Sequence, residues 1–329
     1  MPRRKLHIAV EQLRFVAPFR ISGYVFEKQD AVIVTLEEGA HRGRGEAAGV
    51  YYLGDTSQSL VAAIEGCRAE IESGIDRAGL QELMPAGGAR NAVDCALWDL
   101  DAKRGGRSVL ALACMPPVRP LVTTFTLGAE APETMAAGAR RFVGARSLKL
   151  KLTGELDLDL ARVDAVRAAC PDAWLGVDAN RGYAIGDVDA LVRGLVAARV
   201  SLLEQPLQRG SEADLEGYVS PIPIAADESA LTLADTAGLV GRFDVVNIKL
   251  DKCGGLTEGL AIAREARRLG LGVMVGNMCG TSLSMAPAFV LGQICDYVDL
   301  DGPLLIANDP EPRARYADGT IWCGPEIWG

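Results

Sequence analysis

The chain has 329 residues, 49% of them hydrophobic and 23% charged, which is enough for roughly two domains and a sizeable core. Aromatics at 5% and unexceptional glycine and proline content exclude a disordered or collagen-like chain. A net charge of −9, with no basic cluster beyond Arg3, Arg4 and Lys5, argues against a nucleic-acid partner.

No run of about 18 apolar residues occurs, so a membrane-spanning helix is not expected. The first residues run into strand-like alternation without a signal-peptide core. The eight cysteines are scattered and form no CxxC pair, which points to reduced thiols in a cytoplasmic protein rather than disulfides or a zinc site. Basic side chains are lopsided: 34 in all, only seven of them lysine, and the two histidines, His7 and His41, both lie near the start. A His–Asp dyad in the body of the chain is therefore excluded.

In chain order, 6–14 and 31–37 read as strands and 57–73 and 89–103 as helices, an α+β composition. From about residue 120 the texture becomes regular. Apolar strand cores centre near 123, 149, 176, 203, 226, 248, 274 and 298, with spacings of 26, 27, 27, 23, 22, 26 and 24. Amphipathic segments such as DLARVDAVRAA and LAIAREARRLG lie between most of them. Eight near-equal βα units favour a closed parallel barrel over a doubly wound sheet. The irregular tail after Gly302-Pro303 is expected to pack back on the N-terminal part.

In such a barrel the chemistry sits where strands run into the following loops. The strand ends here carry Lys149-x-Lys151, Asp178, Glu204, Asp227, Lys249, Gly276-Asn277-Met278 and Asp299-x-Asp301. Three carboxylates from consecutive strands, about 4.8 Å apart, would repel unless a hard cation joined them, and an all-oxygen set favours Mg²⁺. Capping of the next helix is the plainer role for any one of them. The lysines sit among Leu148, Leu150, Leu152, Val246, Ile248 and Leu250, so they are expected to be buried. A buried lysine beside other cations has a lowered pKa and acts as a base near neutrality. Two lysines on opposite faces of a substrate, with a metal between, suit removal and return of a proton α to a carboxylate, the charge developing as an enediolate.

The set Lys149-x-Lys151, Asp178-x-Asn180, Glu204-Gln205-Pro206, Asp227-Glu228-Ser229, and Asn247-Ile248-Lys249 followed by Lys252-x-Gly254-Gly255 resembles the muconate lactonizing enzyme subgroup of the enolase superfamily. The resemblance covers essentially the whole chain. It implies an α/β fold, a modified (β/α)7β TIM-type barrel at 119–304, with an α+β capping domain at 1–118 and a C-terminal segment at 305–329 that completes the cap. The substrate-closing loops would lie near 15–26 and 47–55. Asp299-Leu300-Asp301-Gly302-Pro303 resembles the dipeptide epimerases, in which two aspartates hold the α-ammonium of a dipeptide.

By that resemblance Lys151 and Lys249 are the acid/base pair and Lys149 lowers the pKa of Lys151. Asp178, Glu204 and Asp227 bind one Mg²⁺ per subunit. Asp299, Asp301, Arg20, Tyr24 and Met278 contact the dipeptide, and Asn180, Glu228 and Lys252 support the site. A homo-oligomer is expected. Members specific for Ala-Glu carry an Arg in the first capping loop where this chain has Gly23, so the loop does not predict that specificity. Phe19, Tyr24, Tyr51 and Tyr52 are instead expected to line a side-chain pocket or to pack the cap. Asn277 departs from the family's more usual Gly-Cys-Met pattern. An N-acylamino acid racemase, an o-succinylbenzoate synthase or a cycloisomerase would share the lysines and metal. A Schiff-base barrel enzyme and a binding module on the same fold are the other readings.

Overall fold

The computed structural model describes residues 3–329. Three antiparallel strands open the chain: β1 (Lys5–Ile21), β2 (Tyr24–Glu38) and β3 (His41–Ala48), in the order β1-β2-β3. They are longer than the alternation suggested, and β3 was not foreseen because its sequence, HRGRGEAA, is almost without β-formers. Gly23 makes the β1–β2 turn at φ +75°. The β1–β2 register is broken between Arg14 and Phe19, next to that turn.

The expected helix over 57–73 divides at Cys67 into α1 (Ser57–Gly66) and α2 (Arg68–Ser73). Then follow α3 (Arg77–Leu83), α4 (Gly88–Gly105) and α5 (Val109–Leu112). Helix α4 packs Ala92, Val93, Ala96, Leu97 and Leu100 against Val32, Val34 and Leu36 of β2 in a small core of its own. Gly43 and Gly45 let β3 approach that closely: a Cβ at either would collide with the carbonyl of Ala96 or Ala92.

The barrel strands are β5 (Thr124–Leu127), β6 (Ser147–Lys151), β7 (Trp174–Asp178), β8 (Leu202–Glu204), β9 (Ile224–Ala226), β10 (Val245–Lys249), β11 (Gly272–Gly276) and β12 (Tyr297–Val298), paired in parallel in sequence order. The helices α6 (Pro132–Arg141), α7 (Leu156–Ala169), α8 (Ile185–Ala197), α10 (Leu256–Arg268) and α11 (Ser282–Gly292) alternate with them. A short α9 (Leu250–Cys253) precedes α10, and α12 (Gly302–Leu305) follows β12. Not every unit carries a full helix. After β8 and β9 the chain forms only 3₁₀ turns, Glu212–Leu215 and Leu233–Leu239.

Strands β5 and β12 share no ladder. Side chains close the seam instead. Thr123 Oγ1 accepts from Leu300 N at 2.9 Å, Thr124 Oγ1 donates to Asp299 at 2.5 Å, and Thr126 N donates to Asp301 at 2.6 Å.

The tail forms a three-stranded sheet with the entry to the barrel: β13 (Arg315–Ala317), β14 (Thr320–Trp322) and β4 (Leu121–Val122). Its end returns to the first residues' domain, where Trp328 Nε1 donates to Arg44 O at 2.9 Å and Gly329 N to Asp99 at 2.9 Å. The cap is tied to the barrel by Ala48 N to Asp251 (2.9 Å), Gln29 Nε2 to Cys279 O (2.9 Å) and Thr281 N to Glu46 (2.7 Å). None of the helices among the described residues is long and apolar enough to cross a membrane.

Candidate active site

Strand β6 reads SLKLK, so successive side chains alternate between the helix layer and the barrel interior. Leu148 and Leu150 join the main hydrophobic core, which leaves Lys149 and Lys151 facing inward. Register then sets their neighbours. Lys151 pairs with Asp178, Asp178 with Glu204, and Glu204 with Ala225, one residue short of the end of β9. Asp227 follows that end directly, and Lys249 ends β10. Below this charged layer the barrel floor is apolar, formed by Leu202, Ala225, Val245 and Met274.

Asp178, Glu204 and Asp227 each offer an oxygen within 4.8 Å of the others, and all three are at most 1% exposed. Lys151 Nζ donates to Asp178 at 2.6 Å and Lys249 Nζ to Asp227 at 2.6 Å. Lys149 Nζ lies 2.7 Å from Glu204 and 2.8 Å from Asp299. Lys252 Nζ takes the second oxygen of Asp227 at 2.6 Å and the Asn247 carbonyl at 3.0 Å. Asn247 Nδ2 donates to Glu204 Oε1 at 2.9 Å, whereas Glu204 Oε2 receives no hydrogen bond of good geometry although Lys149 stands beside it. An orphaned carboxylate oxygen in an all-oxygen triad is a donor set that fits a hard divalent cation.

Burial favours the neutral carboxyls, but Lys151 and Lys149 outweigh it at Asp178, and Lys249 and Lys252 outweigh it at Asp227, so both are held below the usual range. Glu204 goes the other way, raised by burial and by Asp178. Burial would lower Lys149 and Lys249, yet Asp299 and Glu204 hold Lys149, and Asp227 holds Lys249, above the ordinary value. Lys252 is lowered, by burial and, more weakly, by Lys249. The sequence showed cations in proximity but not that each had a carboxylate within 3 Å.

Above this layer lies a cavity of about 410 Å³. Lys151, Lys249, Asp227 and Asn180 form its base, Asn277, Met278 and Cys279 one wall, and Phe15, Phe19, Ile21, Phe26, Lys28, Tyr51 and Tyr52 the capping side. Met278 and Asn180 are thus both at the cavity, although Asn180 was expected behind it. Glu228 stands behind it, 3.1 Å from Arg181, which lies over the Tyr52 ring. Arg20 and Tyr24 do not line it. Arg20 is turned to Glu130 at 2.9 Å, and Tyr24 is exposed with its ring on Tyr51, 4.6 Å between centroids. Asp299 and Asp301 do not line it either, being held against β5 and Lys149. Asn277 gains a role: its Nδ2 donates to the Asp299 carbonyl at 2.6 Å, joining the loop after β11 to the end of β12.

Lys28 and Glu46 escaped the sequence reading. The period-two alternation of β2 puts Lys28 on the face of Phe26, a signal that was present. Glu46 binds Thr281 across 235 residues of sequence, for which no local signal exists.

A buried carboxylate triad whose donor set fits a cation, at the rim of a parallel barrel, flanked by lysines and roofed by an antiparallel cap, defines an enzyme of the enolase type. Two family models match: the mandelate racemase/muconate lactonizing enzyme N-terminal domain over residues 4–113 and the enolase C-terminal domain-like family over 133–323. The chain belongs to this family. It is 40% identical over 306 residues to an L-Ala-D/L-Glu epimerase of Escherichia coli K12, covering 92% of this chain and 95% of that one.

An enolase family member of Agrobacterium tumefaciens with homology to dipeptide epimerases, solved with sodium and L-Ala-L-Glu, superposes with a TM-score of 0.95 at 40% identity, covering 99% and 100% of the two chains. A dipeptide epimerase of Methylococcus capsulatus, complexed with Mg and L-Arg-D-Lys, superposes at 0.93 with 30% identity, covering 100% and 99%.

Proposed function

We propose that this chain is a Mg²⁺-dependent dipeptide epimerase that inverts the α-carbon of the C-terminal residue by proton transfer between Lys151 and Lys249. The observation that carries this reading is the pair of buried lysines on strands β6 and β10, both opening into one cavity beside an all-oxygen carboxylate triad. Asp178, Glu204 and Asp227 would hold the ion, with Glu228 and Lys252 behind them and Asn180 at the base of the cavity.

Around the triad four lysines face four carboxylates, counting Lys149, Lys151, Lys249, Lys252 and Asp178, Glu204, Asp227, Asp299. A divalent cation, when bound, supplies a seat for the substrate carboxylate and takes up the oxygens that now neutralise ammonium groups, which lets one lysine stand neutral. That lysine accepts the α proton while the C–H electron pair moves into the substrate carboxylate. The opposite lysine, still an ammonium, returns a proton to the other face. One amine gains a proton and the other loses one, so the substrate changes only in configuration. Lys149, fixed between Glu204 and Asp299, keeps a permanent positive charge next to that carboxylate. The aromatic wall of the cap keeps bulk water from the carbanionic stage.

Asp299 and Asp301 are the groups proposed for the dipeptide's ammonium. Their absence from the cavity lining favours a second reading, an N-acylamino acid racemase that needs no ammonium clamp. The eight unpaired thiols support a reducing, cytoplasmic setting.

The test is incubation with L,L-dipeptides and with N-acylamino acids in D₂O, with Mg²⁺ and then with chelator, reading a gain of one mass unit. Exchange of dipeptides that chelation abolishes is expected. Exchange of N-acylamino acids alone would replace the epimerase by the racemase.

A further inference from the structure

The two acid/base lysines are seated on different parts of the molecule. Lys151 is followed by a loop that the barrel itself holds. Asp159 of α7 accepts from Thr153 N at 3.0 Å, from Gly154 N at 2.9 Å and from Tyr183 Oη at 2.6 Å. Gly154 packs on the loop after β7 so closely that a Cβ on it would collide with the Gly182 carbonyl.

Lys249 is followed by α9 and the turn into α10, and these are held by the cap. Arg90 of α4 donates to Cys253 O at 2.6 Å and to Gly254 O at 3.2 Å, and Asp94 accepts from Thr257 N at 3.0 Å. Gly254 and Gly255 make room for these side chains, since a Cβ on them would strike Arg90 and Asp94 respectively. Asp251, two residues after Lys249, reaches further into the cap. Its Oδ1 accepts from Asn91 Nδ2 of α4 at 3.0 Å and from Ala48 N at 2.9 Å. Strand β3 is an edge strand, and Asp251 takes the place of the missing neighbour for the Ala48 N–H. Ala48 leads into the 49–55 loop, whose Tyr51 and Tyr52 line the cavity and pack with Ala48, Val50 and Met278. At 6% exposed, the Asp251 carboxylate is costly to bury. What it provides is one oxygen that joins the roof loop, the cap helix and the strand end bearing Lys249.

We infer that Asp251 is a positioning residue that ties the placement of Lys249, and not that of Lys151, to the seating of the 49–55 loop over the substrate. The inference rests on the epimerase reading. The base on one face is set by the cap and the base on the other by the barrel.

The experiment follows α-proton exchange in D₂O with Mg²⁺ for L-Ala-L-Glu, L-Ala-L-Phe and their L,D epimers. Lys151→Ala, which leaves only Lys249, identifies the epimer that Lys249 deprotonates. Asp251→Ala should slow exchange of that epimer by about tenfold or more and leave the other within about threefold of native. Asp251→Asn keeps an oxygen for Ala48 N and should recover to within about threefold of native. Equal losses on both epimers, or an Asn variant as slow as the Ala variant, overturn the assignment. Amide hydrogen exchange by mass spectrometry gives a readout independent of activity. Asp251→Ala should speed it at 49–55 and 250–255 together and leave 152–155 unchanged. Acceleration in only one of the first two segments, or in all three, overturns the coupling. Where Asp251→Ala does not fold, Asn91→Ala removes one donor to Asp251 and is read by the same amide exchange. A native chain that exchanges the α proton of neither dipeptide would overturn the epimerase reading instead, and amide exchange alone then decides the coupling.

Discussion

Lys149 Nζ and Asp299 Oδ2 lie 2.8 Å apart across the seam where the first and last barrel strands meet without a ladder. The other oxygen of Asp299 receives Thr124 Oγ1 at 2.5 Å, so its charge is matched inside the protein. Asp301, two residues on, receives among the described residues only Thr126 N and Oγ1, at 2.6 and 3.2 Å. Burial and the neighbouring Asp299 push its carboxyl up to about 7. The two aspartates of one motif are therefore unequal: one is neutralised by a lysine, the other lacks a cation.

A dipeptide ammonium would supply that cation. Asp301→Asn should lower kcat/KM for a dipeptide at least about tenfold and affect N-acylamino acids far less. Asp299→Asn should lower kcat/KM for a dipeptide too and in addition cost about 1–3 kcal/mol of stability, because it strips Lys149 of a buried partner and weakens the seam. Denaturant unfolding and steady-state kinetics on both variants separate the two effects. Equal losses on both substrate classes in Asp301→Asn would remove the ammonium role.

The two lysines divide the chemistry by face. Lys151→Ala and Lys249→Ala should each lower epimerisation by several orders of magnitude, since proton transfer from or to one face is lost. Each variant should still exchange the α proton of one substrate enantiomer, and the two should retain opposite ones. Proton NMR of each enantiomer in D₂O reads this directly. Retention of the same enantiomer by both variants would contradict the two-face arrangement.

The site's lysines and its three clustered carboxylates were legible because each ends a strand, or directly follows one, whose register is local. SLKLK fixes which face Lys149 and Lys151 take, and β-pairing carries Asp178 and Glu204 to their side. The 3₁₀ turns after β8 and β9 had a signal as well. They fall in the two shortest spacings, 23 and 22, and the first contains Gly210, Gly217, Pro221 and Pro223. What sequence could not show is pairing at long range. That Asp299 meets Lys149, that Arg20 turns to Glu130, and that a Lys28 of ordinary appearance reaches the cavity all depend on how cap and barrel are placed. The counter-charges of the lysines likewise come from other strands.

Glu46 tests the joint between cap and barrel. Its carboxylate, 1% exposed at the end of β3, accepts from Thr281 N at 2.7 Å and from Thr281 Oγ1, at the start of α11. Burial pushes its pKa up from 4.5 to about 7 against those hydrogen bonds, with Asp251 and Asp309 adding to the rise. The folded state thus holds this proton more tightly than the unfolded chain. The stability it contributes is fully present below about pH 4.5 and is lost as pH rises through about 7, a swing of at most about 3 kcal/mol. Glu46→Gln cannot titrate. It should cost about 1 kcal/mol near pH 5, where it exchanges a well-fitted acid for an amide, and should equal or exceed the native protein in stability near pH 8. Urea midpoints at the two pH values measure the crossing. Parallel pH profiles for the native protein and the variant would show that Glu46 is not the titrating group.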